Sequence, residues 1–369
     1  MTPGYLINLI RDLILKIANR DRRKKHVNYP YMITNVVPCF HLKNWAAIIF
    51  NSLSSIMLAI GIIILRPHIV VISTPPIESV LGAYLGAKCS KSMIIIDIRD
   101  PSEDYLLKRS SGITKLILAL LKKTNIMIYR KSNITITVTK SLSRYLMRYG
   151  IKALPILNGA DTRKFKPLPK ELARKYLNIP QDSFVLVYAG LIGIYYKLDT
   201  ILYALRDLGS HLLKKVRLLI LGSGPDVEAL MTTIHKLNLK ENVTYLGIVN
   251  DIKKLILTLS ASDIGLIPII ADPILDFALP VKLYEYIACG LPILATTSSN
   301  SELAKFIEKH KIGLICEPQD KECLTNALKN MLENKINLIG LKRNTSKLRG
   351  AIDRRHEVKK LYMLIKSYT

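Results

Sequence analysis

The feature that most constrains the fold of this chain is a repeated alternation of short apolar runs with helical segments. The runs are rich in Ile and Val, as is typical of parallel strands buried on both faces. Parallel strands need a crossover connection, usually a helix, so the alternation predicts two doubly wound α/β units. The predicted strands are 69–73, 93–98, 134–138, 184–188, 216–221 and 264–268, and the predicted helices include 115–129, 200–208, 226–237 and 324–332.

The length of 369 residues is sufficient for two domains of ordinary size. Charged residues cluster with Pro167 and Pro169 over 161–172, so we expect the boundary there. The first domain is predicted over 1–165 and the second over 166–352. A hydrophobic content of 49% excludes a disordered polypeptide.

The net charge of +26 predicts attraction to a polyanion, either nucleic acid or an anionic membrane face. The sequence has no ribonucleoprotein motif, zinc-finger spacing or arginine-rich recognition helix, so no nucleic-acid partner is expected and a membrane surface is favoured. Basic clusters at 22–25, 122–123 and 130–131 would contribute to this attraction. The uncharged segment 45–65 is long enough for a transmembrane helix, but its Asn and Ser residues favour a helix that lies against the membrane.

The five cysteines are scattered and odd in number, so the sequence predicts neither a disulfide framework nor a metal-ligand cluster. The N-terminal stretch lacks a basic region before its apolar residues and has no evident cleavage site, so no signal peptide is predicted. We therefore expect a cytoplasmic protein that associates peripherally with the inner face of the cell membrane.

The segment 277–292 carries the clearest chemical signal. Pro280 is well placed at the start of a helix predicted over 281–289, which Gly290 ends. A helix N-terminus offers free N–H groups to a phosphate, Lys282 adds a mobile positive charge there, and Glu285 can accept two hydrogen bonds from a diol. Together these groups suit a sugar nucleotide. The alternative is an amphipathic helix whose Lys and Glu are merely solvated.

This segment resembles the C-terminal donor-site motif of glycosyltransferase family four, the large retaining family with the GT-B fold. The resemblance continues in order through most of the chain and is closest to the branch that acts on lipid-linked or cell-surface glycans. The other matching segments are 69–76 (IVVISTPP), 97–100 (DIRD), 157–161 (LNGAD), 189–193 (AGLIG) with Lys197, 221–224 (LGSG) and 245–247 (YLG).

The resemblance implies two facing Rossmann-like domains, of which the first binds the acceptor and the second binds the nucleotide sugar. It also implies that a final helix, 353–369, completes the first domain. The family opens with a strand and a Gly-rich loop, whereas here Pro3 and Gly4 lead directly into a helix predicted over 5–18. The N-terminal domain is therefore expected to lack its first strand.

The resemblance also assigns the donor site. Lys197 would neutralise the leaving diphosphate, and Glu285 would hold the ribose. An arginine common in the family, the other half of this cationic clamp, is replaced by Leu191, and the first glutamate of a frequent pair is replaced by Phe277. Our own hypothesis is that Lys282 replaces the half of the cationic clamp that is missing here. Further donor-binding residues are expected to be Gly190, Gly193, Gly222, Gly224, Gly247, Leu279, Pro280 and Val281.

Asp100 is the candidate for orienting or deprotonating the acceptor hydroxyl, because it follows a strand end that would face the cleft. An ordinary strand-end cap or a carboxylate paired with Arg99 is at least as good an interpretation. No metal and no cofactor are expected, because helix N–H groups and lysines can stabilise the charge of the leaving diphosphate.

Together these observations predict a metal-independent retaining glycosyltransferase of the hexosyltransferase type. It would move a sugar from a nucleotide-diphosphate sugar to a lipid-linked or glycan acceptor. Two alternatives stay open. One is an inactive glycosyltransferase-like subunit that binds a partner at the membrane, and the other is a polyanion-binding α/β protein.

Overall fold

The computed structural model describes residues 32–34 and 45–368. It divides into two compact units. Unit 1 is Met1–Leu157 with Val358–Thr369, and unit 2 is Asn158–Glu357. The chain therefore leaves unit 1 at Leu157 and returns to it at Val358.

Unit 1 contains a parallel sheet whose five strands follow chain order from β1 to β5. The Ile and Val residues of β2 and β3 are almost completely buried, which accounts for their near-continuous apolar sequence. The strands are β1 (Met32–Thr34), β2 (Ile69–Thr74), β3 (Met93–Ile98), β4 (Ile134–Thr137) and β5 (Ala153–Pro155). The helices are α1 (Trp45–Leu65), α2 (Ser79–Cys89), α3 (Ser102–Lys108), α4 (Gly112–Lys131) and α5 (Lys140–Met147).

Helices α1 and α2 pack unusually closely because α2 carries two glycines on the shared face. A Cβ atom on Gly82 would lie 2.1 Å from the backbone oxygen of Ser55, and one on Gly86 would lie 2.8 Å from that of Ala59. The N–H of Gly82 also donates to the Ser55 hydroxyl at 3.1 Å. Any side chain at either glycine would therefore force the two helices apart.

The outer sides of α1, α2 and α4 expose many large apolar side chains. Helix α2 packs against both α1 and α4, so these side chains lie on neighbouring helices. We call this set the apolar helix surface: Leu53, Ile56, Met57, Ile60, Ile63, Ile64, Leu65, Leu81, Leu85, Ile113, Leu116, Ile117, Leu120 and Met127. Within residues 32–34 and 45–368, no helix combines the length and the apolar composition needed to cross a membrane.

Helix α15 (Arg354–Lys366) begins in unit 2 and ends in unit 1. Its Leu361 and Ile365 are 1% and 2% exposed and join a core cluster with residues of three strands. Those strand residues are Ile69, Val71, Ile95, Ile134 and Ile136. The far end of the chain therefore covers one face of the unit 1 sheet.

Unit 2 contains a six-stranded parallel sheet with the order β11-β10-β9-β6-β7-β8. In chain order, β7 and β8 are added on one side of β6, whereas β9, β10 and β11 are added on its other side. The direction of the strand order therefore reverses between β6 and β9. The strands are β6 (Phe184–Leu191), β7 (Val216–Ser223), β8 (Val243–Gly247), β9 (Ile264–Pro268), β10 (Ile293–Thr296) and β11 (Gly313–Cys316). The helices are α6 (Lys170–Tyr176), α7 (Leu198–Arg206), α8 (Ser210–Leu213), α9 (Val227–Lys236), α10 (Ile252–Ala261), α11 (Val281–Ala288), α12 (Glu302–His310), α13 (Lys321–Leu332) and α14 (Leu338–Leu348).

The predicted strands and helices after residue 44 are confirmed, with ends that differ by a few residues. The strand order of unit 2 also confirms its doubly wound topology. The helix predicted over 5–18, the expected lack of a first strand before it and the basic cluster 22–25 lie outside the described residues. Strand β1, which the sequence did not predict, pairs in parallel with β2.

The cysteine interpretation needs one correction. Cys316 and Cys323 form a disulfide with a Cα–Cα distance of 5.7 Å. The end of β11 and the first turn of α13 bring these residues together, because the connection between them is short. Cys89 is exposed and Cys289 is buried, and neither of these two takes part in a disulfide.

Candidate functional site

The candidate donor site lies at the carboxyl ends of the unit 2 strands, where the strand order reverses between β6 and β9. Such a switch point forms a crevice in open α/β sheets and is their usual ligand site. The N–H of Lys197 donates to the carbonyl of Pro268 at 2.9 Å, so the loop after β6 is tied to the end of β9. Helix α11 follows the loop after β9 and begins beside the same crevice.

The glycines at the ends of β6 and β7 allow these two strand ends to touch. Gly190 and Gly222 are register partners, and a Cβ atom on Gly222 would lie 1.8 Å from the Gly190 oxygen. A Cβ atom on Gly224 would likewise lie 1.9 Å from the oxygen of Ile192. Close packing of the two loops thus explains these glycines, and it leaves exposed backbone at the crevice. Gly247 ends β8 and is the register partner of Leu221 on β7.

Helix α11 begins as the sequence predicts. Pro280 has φ −66° and ψ 145° and is the N-cap residue, so its missing N–H removes one unsatisfied donor. Leu279 is buried and anchors the preceding loop, while Pro280 and Val281 are partly exposed. The first backbone N–H groups of the helix therefore lie next to accessible surface, as an anion site requires.

Lys282 is buried rather than solvated, which corrects the expectation of a mobile cation. Its exposure is 7%, and its Nζ atom lies 3.4 Å from the ring centroid of Tyr196 and 4.0 Å from that of Tyr188. Within the described residues this Nζ atom has no hydrogen-bond partner. Burial holds the pKa of Lys282 well below its usual value, although the charge of Glu285 opposes that shift.

Glu285 is also buried, with an exposure of 7%. Burial raises the pKa of its carboxyl group to about 7, against the lowering effect of Arg354 and Lys282. None of the described residues donates a hydrogen bond to this carboxylate. It is therefore a buried acceptor with free capacity, which is the property that a diol-binding group needs.

Lys197 is exposed, and its Nζ atom lies 4.0 Å from a carboxylate oxygen of Asp199. It lines a small pocket between the loop after β6 and helix α9, together with Gly193, Tyr196, Asp199 and Asp226. A Cβ atom on Gly193 would lie 2.5 Å from Cγ of Asp226. Lys197 and Gly193 thus share one side of the site, while Lys282 and Glu285 lie on α11 and do not line this pocket.

Asp100 belongs to unit 1, at the carboxyl end of β3. It is exposed, and the hydroxyl of Ser102 donates a hydrogen bond to its carboxylate. Arg99 makes an ion pair with Asp97 at 3.3 Å. Burial of the Asp100 carboxyl group raises its pKa, and the positive charge of Arg99 also acts on this group and opposes that rise. Ser73 also donates to Asp97, at 3.1 Å.

A buried network supports the loop next to Asp100. Glu103 accepts hydrogen bonds from Tyr129 at 2.6 Å and from Asn125 at 3.2 Å. Asn125 also donates to the backbone oxygen of Ile77, at 3.0 Å. Helix α4 therefore fixes both the loop after β2 and the start of α3, which hold the carboxyl ends of β2 and β3 in place.

The basic helix α4 is less available to an anionic surface than its sequence indicates. Lys122 donates to Asp104 at 2.6 Å and to the hydroxyl of Tyr149 at 3.1 Å. Arg130 donates to the backbone oxygen of Tyr149. Lys123 and Lys131 are exposed and make no such contact in the described residues. Two of the four predicted basic side chains are thus engaged within the unit.

The sequence interpretation did not identify Tyr188 and Tyr196. The first lies inside β6 and the second precedes Lys197, and no known motif marks either position. Their role depends on the placement of Lys282, which is distant in sequence. A weak signal exists, since a tyrosine with a polar hydroxyl is an unusual choice for the apolar middle of a buried strand.

Comparisons with known proteins agree with this architecture. Residues 169–348 match the family model described as "Glycosyl transferases group 1". These residues lie within unit 2. The probable glycosyltransferase WbjE of Pseudomonas aeruginosa is 25% identical over 190 residues, which cover 50% of this chain and 45% of that protein. The chain thus aligns with less than half of that relative.

Solved structures match over most of the chain. Sucrose-phosphate synthase of Thermosynechococcus elongatus has a TM-score of 0.70 and 17% identity, covering 91% of this chain and 83% of that one. HepE of Anabaena in complex with UDP has a TM-score of 0.69 and 14% identity, covering 84% and 82%. At such identities the likeness shows the fold alone. The chain has the mixed α/β fold of GT-B glycosyltransferases, with parallel sheets, as the sequence predicts.

Proposed function

We propose that this protein is a glycosyltransferase that uses a nucleotide-diphosphate sugar as its donor. The observation that carries the proposal is the crevice between β6 and β9, beside the buried carboxylate of Glu285, which accepts no hydrogen bond from the described residues and lies on the helix whose start can bind an anion. This crevice lies within the residues that match glycosyl transferases group 1. The complex of the similar HepE structure with UDP supports the choice of donor class.

In this proposal each part of the crevice binds a different part of the donor. Glu285 accepts hydrogen bonds from the two ribose hydroxyls. The diphosphate lies against the start of α11, formed by Leu279, Pro280 and Val281, and is neutralised by Lys197 and Lys282. The backbone at Gly190, Gly193, Gly222, Gly224 and Gly247 lets the nucleotide approach the strand ends.

The reaction breaks the bond between the anomeric carbon and the phosphate oxygen and forms a bond to the acceptor oxygen. Negative charge grows on the leaving diphosphate, so fixed N–H dipoles and ammonium groups near it lower the barrier. We propose that no metal ion takes part and that the acceptor attacks the face the diphosphate leaves, so that the anomeric configuration is retained. Asp100 of unit 1 would orient the acceptor hydroxyl and accept its proton.

For the acceptor we propose a lipid-linked glycan reached at the inner face of the cell membrane. The apolar helix surface supports this, because contiguous exposed apolar area on soluble proteins marks interaction sites. The net charge of +26 adds attraction to anionic lipids. Insertion of α1 in the plane of the interface would bring unit 1, which carries Asp100, to the lipid headgroups.

Liposome flotation tests the membrane proposal. The protein should float with vesicles containing anionic lipid, and the bound fraction should fall in high salt because exposed charges are screened. Replacing Met57 and Ile64, which are 74% and 73% exposed, by Ser should reduce flotation. The matched control is Leu172→Ser, a position that is 64% exposed on α6 of unit 2. Equal loss in both variants, or no flotation of the native chain, contradicts the proposal.

A screen of UDP-, GDP- and ADP-sugars tests the activity. A thermal shift with one donor class, followed by mass spectrometry of products formed on membrane lipids, would establish the transferase. Binding without turnover on any lipid or glycan acceptor would favour an inactive subunit that binds a partner. Absence of saturable nucleotide-sugar binding, with retained binding to polyanions, would favour the polyanion-binding α/β protein.

A further inference from the structure

Lys282 occupies an unusual place for a cation. Its Nζ atom lies against the faces of Tyr196 and Tyr188, at 3.4 and 4.0 Å from the two ring centroids. The two rings meet edge to face, with their centroids 5.9 Å apart. The lysine is 7% exposed, and within the described residues no group accepts a hydrogen bond from its amine.

A buried ammonium ion needs hydrogen-bond acceptors or a counter-ion, because leaving water is costly for a charge. Aromatic faces replace only part of that stabilisation. An uncharged amine has no such need and fits an aromatic pair well. The burial that lowers the pKa of Lys282 agrees with this environment.

Among the described residues, the ionisable groups around the amine come from three elements. Glu285 lies on the same helix, Tyr188 on β6 and Tyr196 on the loop after β6. Tyr286, further along α11, accepts a hydrogen bond from the N–H of Ala189 at 2.9 Å. Glu285 is the acidic group among them, and its carboxyl group holds a proton more tightly than usual because it is buried. Lys282 and Glu285 can therefore gain or lose a proton when a ligand binds at this helix start.

Gly190 leaves room for the amine to move towards the donor crevice. A Cβ atom at this position would lie 3.0 Å from Nζ of Lys282. Its φ of +143° is also one that residues with a side chain rarely adopt. A glycine at the end of β6 thus keeps open the space between the amine and the backbone of the crevice.

We infer that Tyr188 and Tyr196 hold Lys282 as an uncharged amine in the free protein, and that an anionic ligand draws it into the crevice as an ammonium ion. Ligand binding then takes up one proton from solvent. The inference rests on the proposed function for the identity of the ligand, a nucleoside diphosphate. Tyr196 acts here as a positioning residue, since it would act through Lys282.

Isothermal titration calorimetry with UDP, GDP and ADP in buffers of different ionisation enthalpy measures the proton count. Because Glu285 can release a proton when it binds the ribose, the count is taken in Glu285→Gln at pH 8. We expect an uptake approaching one proton, with an affinity that rises about tenfold for each unit by which the pH falls. Adding Lys282→Arg, whose guanidinium is always charged, should abolish the uptake. Adding Lys253→Arg, an exposed position on α10, should leave it unchanged.

The Tyr196→Leu variant should bind with a smaller uptake, because its amine is hydrated and already charged in the free protein. A purely structural role for Tyr196 would weaken binding without changing the proton count. An uptake that is the same in Lys282→Arg, or no uptake at all when nucleotide binds, overturns the inference.

A measurement without ligand separates this inference from the proposed function. Carbon-13 NMR of labelled lysine Cε atoms follows each amine through its titration, and comparison with Lys282→Arg assigns the signal. The inference requires a Cε signal that titrates well below the other lysines. A signal that titrates with the bulk overturns it, whether or not a nucleotide binds. If the signal titrates low but no nucleoside diphosphate binds, the proposed donor class fails instead.

Discussion

The Glu285→Gln substitution gives the sharpest test of the donor site. The side chain keeps its shape but loses the negative charge and one acceptor position. Hydrogen bonds to a charged group contribute about 1.5–3 kcal/mol each, so losing one weakens binding roughly tenfold to hundredfold. If both ribose hydroxyls depend on the carboxylate, the loss of affinity for UDP, GDP or ADP should be at the upper end of that range or larger.

The assay is direct binding of the nucleoside diphosphate, compared with the matched control Glu308→Gln. Glu308 is exposed on α12 of the same unit, so its substitution should leave affinity unchanged. The 2′-deoxy form of the nucleotide adds a second comparison. It should bind more weakly than the ribo form to the native chain, and the difference should shrink in Glu285→Gln. Equal affinity of the native chain and Glu285→Gln for the ribonucleotide would remove Glu285 from the site.

Stability offers an independent check on Glu285. Its folded-state pKa of about 7 lies above the ordinary 4.5, so the stability linked to its proton is present below pH 4.5 and lost as the pH rises through 7. The native chain should therefore lose stability relative to Glu285→Gln across that window, by an amount on the order of 3 kcal/mol at most. Denaturant unfolding of both chains at pH 5 and pH 8 measures this difference, and a difference that does not change with pH would contradict a buried carboxyl group.

Further substitutions test the remaining parts of the molecule. Lys197→Ala should lower kcat more than Lys197→Arg, because the positive charge matters most as the diphosphate leaves; equal loss in both would argue against a role for the charge. Turnover should persist in EDTA, and activity lost in EDTA but restored by magnesium or manganese would contradict a metal-independent reaction. Asp263→Asn should destabilise unit 2 by about 3–5 kcal/mol, since it leaves the buried Arg174 guanidinium, 2.7 Å from Asp263, without its counter-ion. Burial raises the pKa of Asp263, but hydrogen bonds from Lys170 and Val185 outweigh it and lower the pKa; the stability linked to this carboxylate should therefore be lost as the pH falls below about 4, which acid titration of the melting temperature measures. Gly222→Ala should lower the melting temperature more than Gly209→Ala, because both have positive φ but a Cβ atom meets the backbone of Gly190 only in the former; equal shifts would mean that close packing is unimportant there.

The sequence was sufficient for the architecture because the pattern of apolar residues depends on local periodicity. The runs 93–98 and 264–268 became strands with the predicted bounds, since both are buried and almost entirely apolar along their length. The start of α11 was equally predictable, because Pro280 restricts the backbone locally and favours a helix start at the next residue.

The environment of the site residues could not be predicted in the same way. The burial of Lys282 between Tyr188 and Tyr196 depends on how α11 sits against β6, and the sequence pattern of a helix does not contain that distance. The ion pair of Lys122 with Asp104 could not be predicted for the same reason, because it depends on how α4 packs against α3. The disulfide between Cys316 and Cys323 was missed because counting cysteines does not report which two a turn brings together.

Helix α15 has a consequence for the order in which the protein can fold during synthesis. Leu361 and Ile365 cover Ile95, Ile134 and Ile136 of the unit 1 sheet, yet the ribosome makes them after the whole of unit 2. Until they emerge, these three isoleucines lack the cover of α15 in the nascent chain. All strands of unit 2 are synthesised before Leu361 and Ile365, so unit 2 can complete its fold first. We therefore expect the growing chain to expose apolar surface of the unit 1 sheet while unit 2 is being made. Unit 1 should then be the part that binds chaperones, and the part that aggregates if translation stalls late.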